Sequence, residues 1–231
     1  MLRAIILDFD GVVADSEPLH FQGFKKILAE ENISLSQKAY YKKYLGYDDR
    51  DCFHAVFRDH KRRLTERTLH QVIRRKTRYM KELFSRRRVL LPGAKRAIKL
   101  MAARFPLAIV SGALRAEIRL ILQREELSSF IEVLVAADDV THGKPHPQGL
   151  RLALHQLNQK VYDPVWPLRA RECLVIEDSL WGIEAARRAG MPCLAVSTSY
   201  PKSKLTSADL VWTGLKEITR ASLPTLEQLF D

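Results

Sequence analysis

The chain has 231 residues, of which 46% are hydrophobic and 28% charged, and a formal net charge of +11. It is long enough to bury a substantial core in one or two domains, and its composition is that of an ordinary globular protein. No apolar run approaches the ~20 residues that span a bilayer, and the run Ala4–Leu7 is too short for a secretory leader and is followed at once by Asp8 and Asp10, so a cytoplasmic protein is expected.

The elements alternate along most of the chain. Ala4–Phe9 reads as a short buried strand that ends in acids and Gly11. From Pro18 to Arg88 the reading is helical: Phe21, Phe24, Ile27 and Leu28 recur at helical spacing, as do Leu69, Val72, Ile73 and Met80. After Pro92-Gly93 helices are expected over Ala94–Arg104, Ala113–Gln123, Pro147–Leu157 and Leu180–Ala189, the last closed by Gly190. Strands are expected at Leu107–Val110, Val133–Ala136, Cys173–Ile176, Cys193–Val196 and Leu210–Trp212. Such alternation predicts an α/β fold: a parallel sheet with helices on both faces. The first strand joins that sheet, so residues 1–14 and 91–231 form the core and residues 15–90 an inserted all-helical cap. Cys52, Cys173 and Cys193 are odd in number and match no zinc spacing, which predicts three reduced thiols.

In open parallel sheets, ligands bind at the carboxyl ends of the strands. Those ends carry Asp8-Phe9-Asp10-Gly11, Ser111-Gly112 and Glu177-Asp178-Ser179, and Gly143-Lys144-Pro145 precedes a helix. Two like charges about 4 Å apart repel by roughly 4 kcal/mol at an effective dielectric near 20. A cluster of Asp8, Asp10, Glu177 and Asp178 therefore calls for a cation, and an all-oxygen ligand set suits Mg2+. Lys144, the hydroxyl of Ser111 and the N–H groups of Gly112 and Ala113 at a helix start suit a phosphoryl group.

Asp8-Phe9-Asp10-Gly11-Val12-Val13, Ser111-Gly112, Gly143-Lys144-Pro145 and Glu177-Asp178-Ser179-x-x-Gly182 resemble, in order and spacing, the four motifs of the haloacid dehalogenase-like hydrolase superfamily. The helical insertion is similar to the cap of the branch containing phosphoglycolate phosphatase and β-phosphoglucomutase. The resemblance implies a Rossmann-like core and roles for each residue. Asp8 would be the nucleophile, and Asp10 the general acid and base. Mg2+ would be held by Asp8, the backbone carbonyl of Asp10 and Asp178, with Glu177 in or near the shell. Lys144 would tie the phosphoryl group to the nucleophile. It also implies that His20, Arg50 and Lys76 of the cap contact the substrate, with Arg50 out of register by about one residue.

The expected activity is hydrolysis of a small phosphorylated metabolite, of the sugar phosphate or phosphoglycolate type, through an aspartyl-phosphate. A phosphomutase acting on an aldose phosphate shares every core residue and is the alternative. The charge has an address: twelve Lys or Arg lie between Lys61 and Arg88 against Glu66 and Glu82, a net of +10, and the rest of the chain is close to neutral. A solvated helical face or steering of anionic metabolites accounts for that run. It contains no recognition motif and few interleaved aromatics, so a nucleic-acid partner is not expected.

Overall fold

The computed structural model describes residues 1–230. The chain divides into two compact units, Ser16–Val89 and, on either side of it, Met1–Asp15 with the segment from Leu90 onward. Asp15 and Leu90 thus lie with the core, not the insertion; Ala14 and Leu90 pair as an antiparallel bridge that ties the two crossing segments to that unit.

The inserted unit is all helical: α1 (Glu17–Glu30), α2 (Gln37–Lys43), α3 (Asp49–Asp59) and α4 (Glu66–Arg86). Each of the last three starts on a side-chain cap. Ser36 accepts from the Ala39 N–H at 3.2 Å, Asp48 from Asp51 at 2.8 Å and Thr65 from Thr68 at 3.2 Å. Phe24, Ile27, Leu28, Phe53, Val56, Leu69 and Val72 pack into a core of their own, which accounts for the helical periodicity of the sequence here.

The other unit holds a single parallel sheet of β1 (Ala4–Leu7), β2 (Leu107–Val110), β3 (Val133–Val135), β4 (Cys173–Glu177), β5 (Cys193–Val196) and β6 (Leu210–Trp212), ordered β3-β2-β1-β4-β5-β6. Helices α5 (Ala94–Ala102), α6 (Arg115–Arg124), α7 (Gln148–Lys160), α8 (Leu180–Ala189) and α9 (Leu223–Glu227) accompany it. Strands β1, β2, β4 and β5 are buried at every residue, as unbroken apolar runs must be when both sheet faces are covered. On one face Ile6, Val110 and Val175 pack with Leu150 and Leu157 of α7 and Ile183 and Ala186 of α8.

The chain leaves β1 for β2 and β3 on one side, then crosses back to β4 on the other. The junction of β1 and β4 is therefore the topological switch point, the place at which open α/β sheets bind their ligands. One helix starts later than its sequence suggests. The α6 helix begins at Arg115, not Ala113, because Leu114 is extended and the Ala113 N–H turns back to the Ser111 hydroxyl at 3.0 Å. A local bond of that kind competes with the helical ladder.

Candidate active site

Strand β1 delivers Asp8 directly to this switch point. The Asp8 N–H donates to the Ile176 carbonyl at 2.9 Å, which registers it against the end of β4, where Glu177 and Asp178 follow. One carboxylate oxygen from each of Asp8, Glu177 and Asp178 lies within 4.8 Å of the others, and all three residues are buried. The Asp10 side chain is outside this trio: the Ser111 hydroxyl donates to its Oδ2 at 3.1 Å. The Asp10 carboxylate thus meets Ser111 at the end of β2.

Lys144 reaches into the cluster from the loop before α7. Its ammonium donates to Asp8 Oδ1 at 2.5 Å, to the Val110 carbonyl at 3.1 Å and to Glu177 Oε1. Glu177 is the most heavily engaged of the acids. Besides Lys144, it accepts at Oε2 from the Asp178 N–H at 3.0 Å, the Ser179 N–H at 3.2 Å and the Ser179 hydroxyl at 3.0 Å. The Ser179 oxygen in turn caps α8 by accepting from the Gly182 N–H at 3.0 Å. Gly182 is required by close approach: a Cβ there would stand 1.8 Å from Glu177 Cδ.

The turn after β1 has its own constraint. Gly11 has a φ of +81°, and a Cβ on it would fall 1.9 Å from Asp178 Oδ2. The same carboxylate oxygen receives a hydrogen bond from the Ser199 hydroxyl, and the Thr198 hydroxyl donates to the Gly11 carbonyl at 2.5 Å. Ser199 and Thr198 are absent from the sequence-derived site. The signal for them was present, since Ser197-Thr198-Ser199 directly follows strand β5 at the same sheet edge.

The electrostatics follow from burial and crowding. Desolvation, followed by the charges of Glu177 and Asp178 against the opposing pull of Lys144, holds the Asp8 carboxyl well above its usual range. Asp178 is pushed up to about 8, first by burial and then by Glu177. Burial pulls the Lys144 ammonium down, but the charges and hydrogen bonds of Asp8 and Glu177 outweigh it and raise its pKa. The cluster holds three carboxylates and one ammonium, and a hard divalent cation on its oxygens would relieve the repulsion that adds to burial in lifting Asp178.

Of the expected phosphate donors, Ser111 is buried at the end of β2 and Gly112 is exposed beside it, but the Ala113 N–H is already held by Ser111. Ala113 therefore lies two residues ahead of the first residue of α6 rather than at the helix start.

Within the inserted unit, Lys76 is fully buried. Its ammonium lies 3.0 Å from His20 Nδ1, 2.5 Å from Asp49 Oδ1 and 4.4 Å from the centroid of Phe24. Arg50 is not part of this group; it is exposed and pairs with Glu66 at 2.8 Å. The Asp48 cap fixes where α3 begins, and it is Asp49 rather than Arg50 that turns inward.

A parallel sheet in this strand order, with acids and a lysine converging at its switch point, defines an α/β enzyme built to handle an anionic group beside a cation. Residues 2–190 match the model of the haloacid dehalogenase-like hydrolases, and the chain belongs to that family. Among its relatives it is a phosphoric monoester hydrolase. It is 29% identical to the phosphorylated carbohydrates phosphatase of Thermotoga maritima over 82% of each chain. It is 26% identical to the phosphoglycolate phosphatase of Yersinia pestis over 86% of this chain and 82% of that one. In fold it resembles the β-phosphoglucomutase of Clostridium difficile, with a TM-score of 0.85 at 20% identity, covering 100% of this chain and 97% of that one. Among the described residues, no helix is long and apolar enough to cross a membrane.

Proposed function

We propose that the chain is a Mg2+-dependent phosphatase of small phosphorylated metabolites, of the phosphorylated carbohydrate or phosphoglycolate class, acting through an aspartyl-phosphate on Asp8. The observation that carries this reading is the meeting of Asp8, Glu177 and Asp178, with the ammonium of Lys144 paired to Asp8 and Glu177. The substrate class is suggested by the relatives' named activities.

The donor set fits Mg2+, being all oxygen and rich in acid. Asp8, Asp178 and the Asp10 carbonyl would hold the ion. Glu177, with both oxygens engaged, would fix Lys144 and the turn to α8 from beside it. Bound Mg2+ supplies charge neutralisation, which lets an anionic phosphoryl group approach a carboxylate.

A carboxylate oxygen of Asp8 attacks phosphorus and the ester P–O bond breaks. Asp10 passes its proton to the departing oxygen, and the alcohol leaves. Asp10, now ionised, takes a proton from water as the water oxygen attacks the same phosphorus. The bond to Asp8 breaks and inorganic phosphate is released. Lys144 balances charge on the phosphoryl oxygens and on Asp8 throughout. The Ser111 hydroxyl donates to the Asp10 carboxylate and would position it for both transfers. In the cap, the buried His20–Lys76–Asp49 group is assigned to reading the substrate's polar body, and Arg50 to a peripheral contact.

The test is phosphate release from a panel of sugar phosphates and phosphoglycolate, with Mg2+ and with EDTA. Asp8→Asn lowers turnover on the order of 10⁴-fold or more while the melting temperature is retained. Normal turnover by that variant rejects the mechanism. Bisphosphate-dependent isomerisation without phosphate release assigns the mutase chemistry instead.

A further inference from the structure

The basic segment has a geometry that the hydrolytic chemistry leaves unused. On α4, Arg67, Arg74, Arg78 and Lys81 are all exposed, and at about 100° per residue they fall within a roughly 60° arc. Ser85 lies within the same arc, His70 and Gln71 flank it about 20° beyond either edge, and the nearest acid, Glu82, lies about 40° beyond its edge. The opposite side of the helix carries the buried Leu69, Val72, Lys76 and Met80. None of the four cations makes an ion pair with a described residue, in contrast to Arg75, which is held by Glu30 and Glu31. From Arg67 to Lys81 the stripe runs about 21 Å at 1.5 Å per residue. Further exposed basic side chains stand at either end, Lys61-Arg62-Arg63 before the helix, Arg86 at its last residue and Arg88 after it.

We propose that this face of α4 binds duplex nucleic acid through its phosphate backbone, without reading sequence. A straight array of cations about 21 Å long faces roughly six phosphate steps of one duplex strand at 3.4 Å each. Arginine predominates, and its planar fork matches phosphate oxygens bidentately. The sequence offers no recognition motif, and a reader of the backbone alone needs none.

The residue types on the face also discriminate between polyanions. Single strands are held largely by stacking on aromatics, and the arc carries no Phe, Trp or Tyr. Stable attachment to an anionic bilayer needs an apolar insertion or a lipid besides charge. The exposed large hydrophobics of the chain, such as Tyr41, Tyr47 and Trp166, all lie outside 61–88. Charge alone suffices for non-specific duplex binding.

The experiment is fluorescence anisotropy of the intact protein with a labelled duplex of about 20 bp, over about 50–200 mM salt, beside the single strand and vesicles of phosphatidylcholine with phosphatidylserine. The wild type is expected to prefer the duplex and to lose affinity on the order of 10²-fold across that range, a log–log slope near −3.6 for about four phosphate contacts. The variant Arg67→Gln/Arg74→Gln/Arg78→Gln/Lys81→Gln is expected to lose most of that slope while retaining its melting temperature and its kcat on an aryl phosphate. A second readout uses the wild type alone: bound duplex should protect Arg67, Arg74 and Arg78 from phenylglyoxal. Unchanged affinity and slope in the variant, absence of protection, or a preference for vesicles or single strands would each overturn the proposal.

Discussion

At the scale of single residues, Asp10 and Ser199 have separable jobs. In the proposed mechanism Asp10 serves two steps that differ in their need for a proton. An aryl alkoxide leaves with little help, whereas water must be deprotonated to attack the aspartyl-phosphate. Asp10→Asn is therefore expected to give a burst of aryl alcohol near one equivalent per enzyme, then slow turnover, and to fail outright on alkyl phosphates. A rapid-mixing experiment with both ester types checks this; equal losses on both without a burst count against the assignment. Ser199 acts at one remove, through its hydrogen bond to Asp178 Oδ2. Partners of that kind orient a metal-binding carboxylate, and removing one weakens metal affinity by about 10–100-fold. Ser199→Ala should raise the Mg2+ dissociation constant by about tenfold, with kcat at saturating Mg2+ nearly unchanged. Calorimetric titration with Mg2+ reads the first quantity without reference to activity.

At the scale of elements, the turn from β4 into α8 shows how a short segment couples fold to chemistry. Ser179 caps the helix and binds Glu177, Glu177 binds Lys144, and Gly182 leaves the space in which Glu177 sits. Gly182→Ala would drive a methyl group into that carboxylate. The expected cost is about 1–3 kcal/mol of stability, with a larger proportional loss of turnover because Lys144 loses its second anchor. Urea unfolding and steady-state kinetics on the same variant check both. This segment was legible in the sequence because an apolar run too short for a helix, followed by Glu177-Asp178, reads as a buried strand that ends in a charged rim. The same logic found Asp8 and the Ser111 turn. Local hydrogen bonding was less legible. The Ser111 hydroxyl captures the Ala113 N–H and delays α6, and nothing in the residue types at 111–115 distinguishes that turn from a helix start. In α3, the Asp48 cap turned Asp49 inward and Arg50 outward, a rotation that one residue of uncertainty in the helix start conceals. Ser199 was passed over because the hydroxyl run Ser197-Thr198-Ser199 after β5 carries no charge, and charge was the pattern that marked the other strand ends.

For the whole molecule, the crowded acids tie folding stability to pH and to metal. The carboxyl of Asp178 titrates at about 8 in the fold, against an ordinary value of 3.8. Between those values the native state holds a proton that the unfolded chain has released. Stability falls with rising pH wherever the native state binds more protons, so this group opposes folding progressively from about pH 4 to about pH 8. Asp8, raised chiefly by burial, acts in the same direction. Lys144 has the opposite sign, since its pKa is raised; its contribution is fully present below the ordinary lysine value of 10.5 and does not change in this window. Mg2+ must displace the carboxyl protons to bind, so its stabilising effect grows over the same range. In EDTA the melting temperature is expected to drop from about pH 5 to about pH 8, and added Mg2+ is expected to remove most of that drop. Histidines also titrate in this range, and the difference between wild type and Asp178→Asn isolates the carboxylate from them. That variant should melt higher than the metal-free wild type at pH 8 and gain less from Mg2+. If its melting temperature in EDTA falls as steeply with pH as that of the wild type, Asp178 is not the source of the dependence.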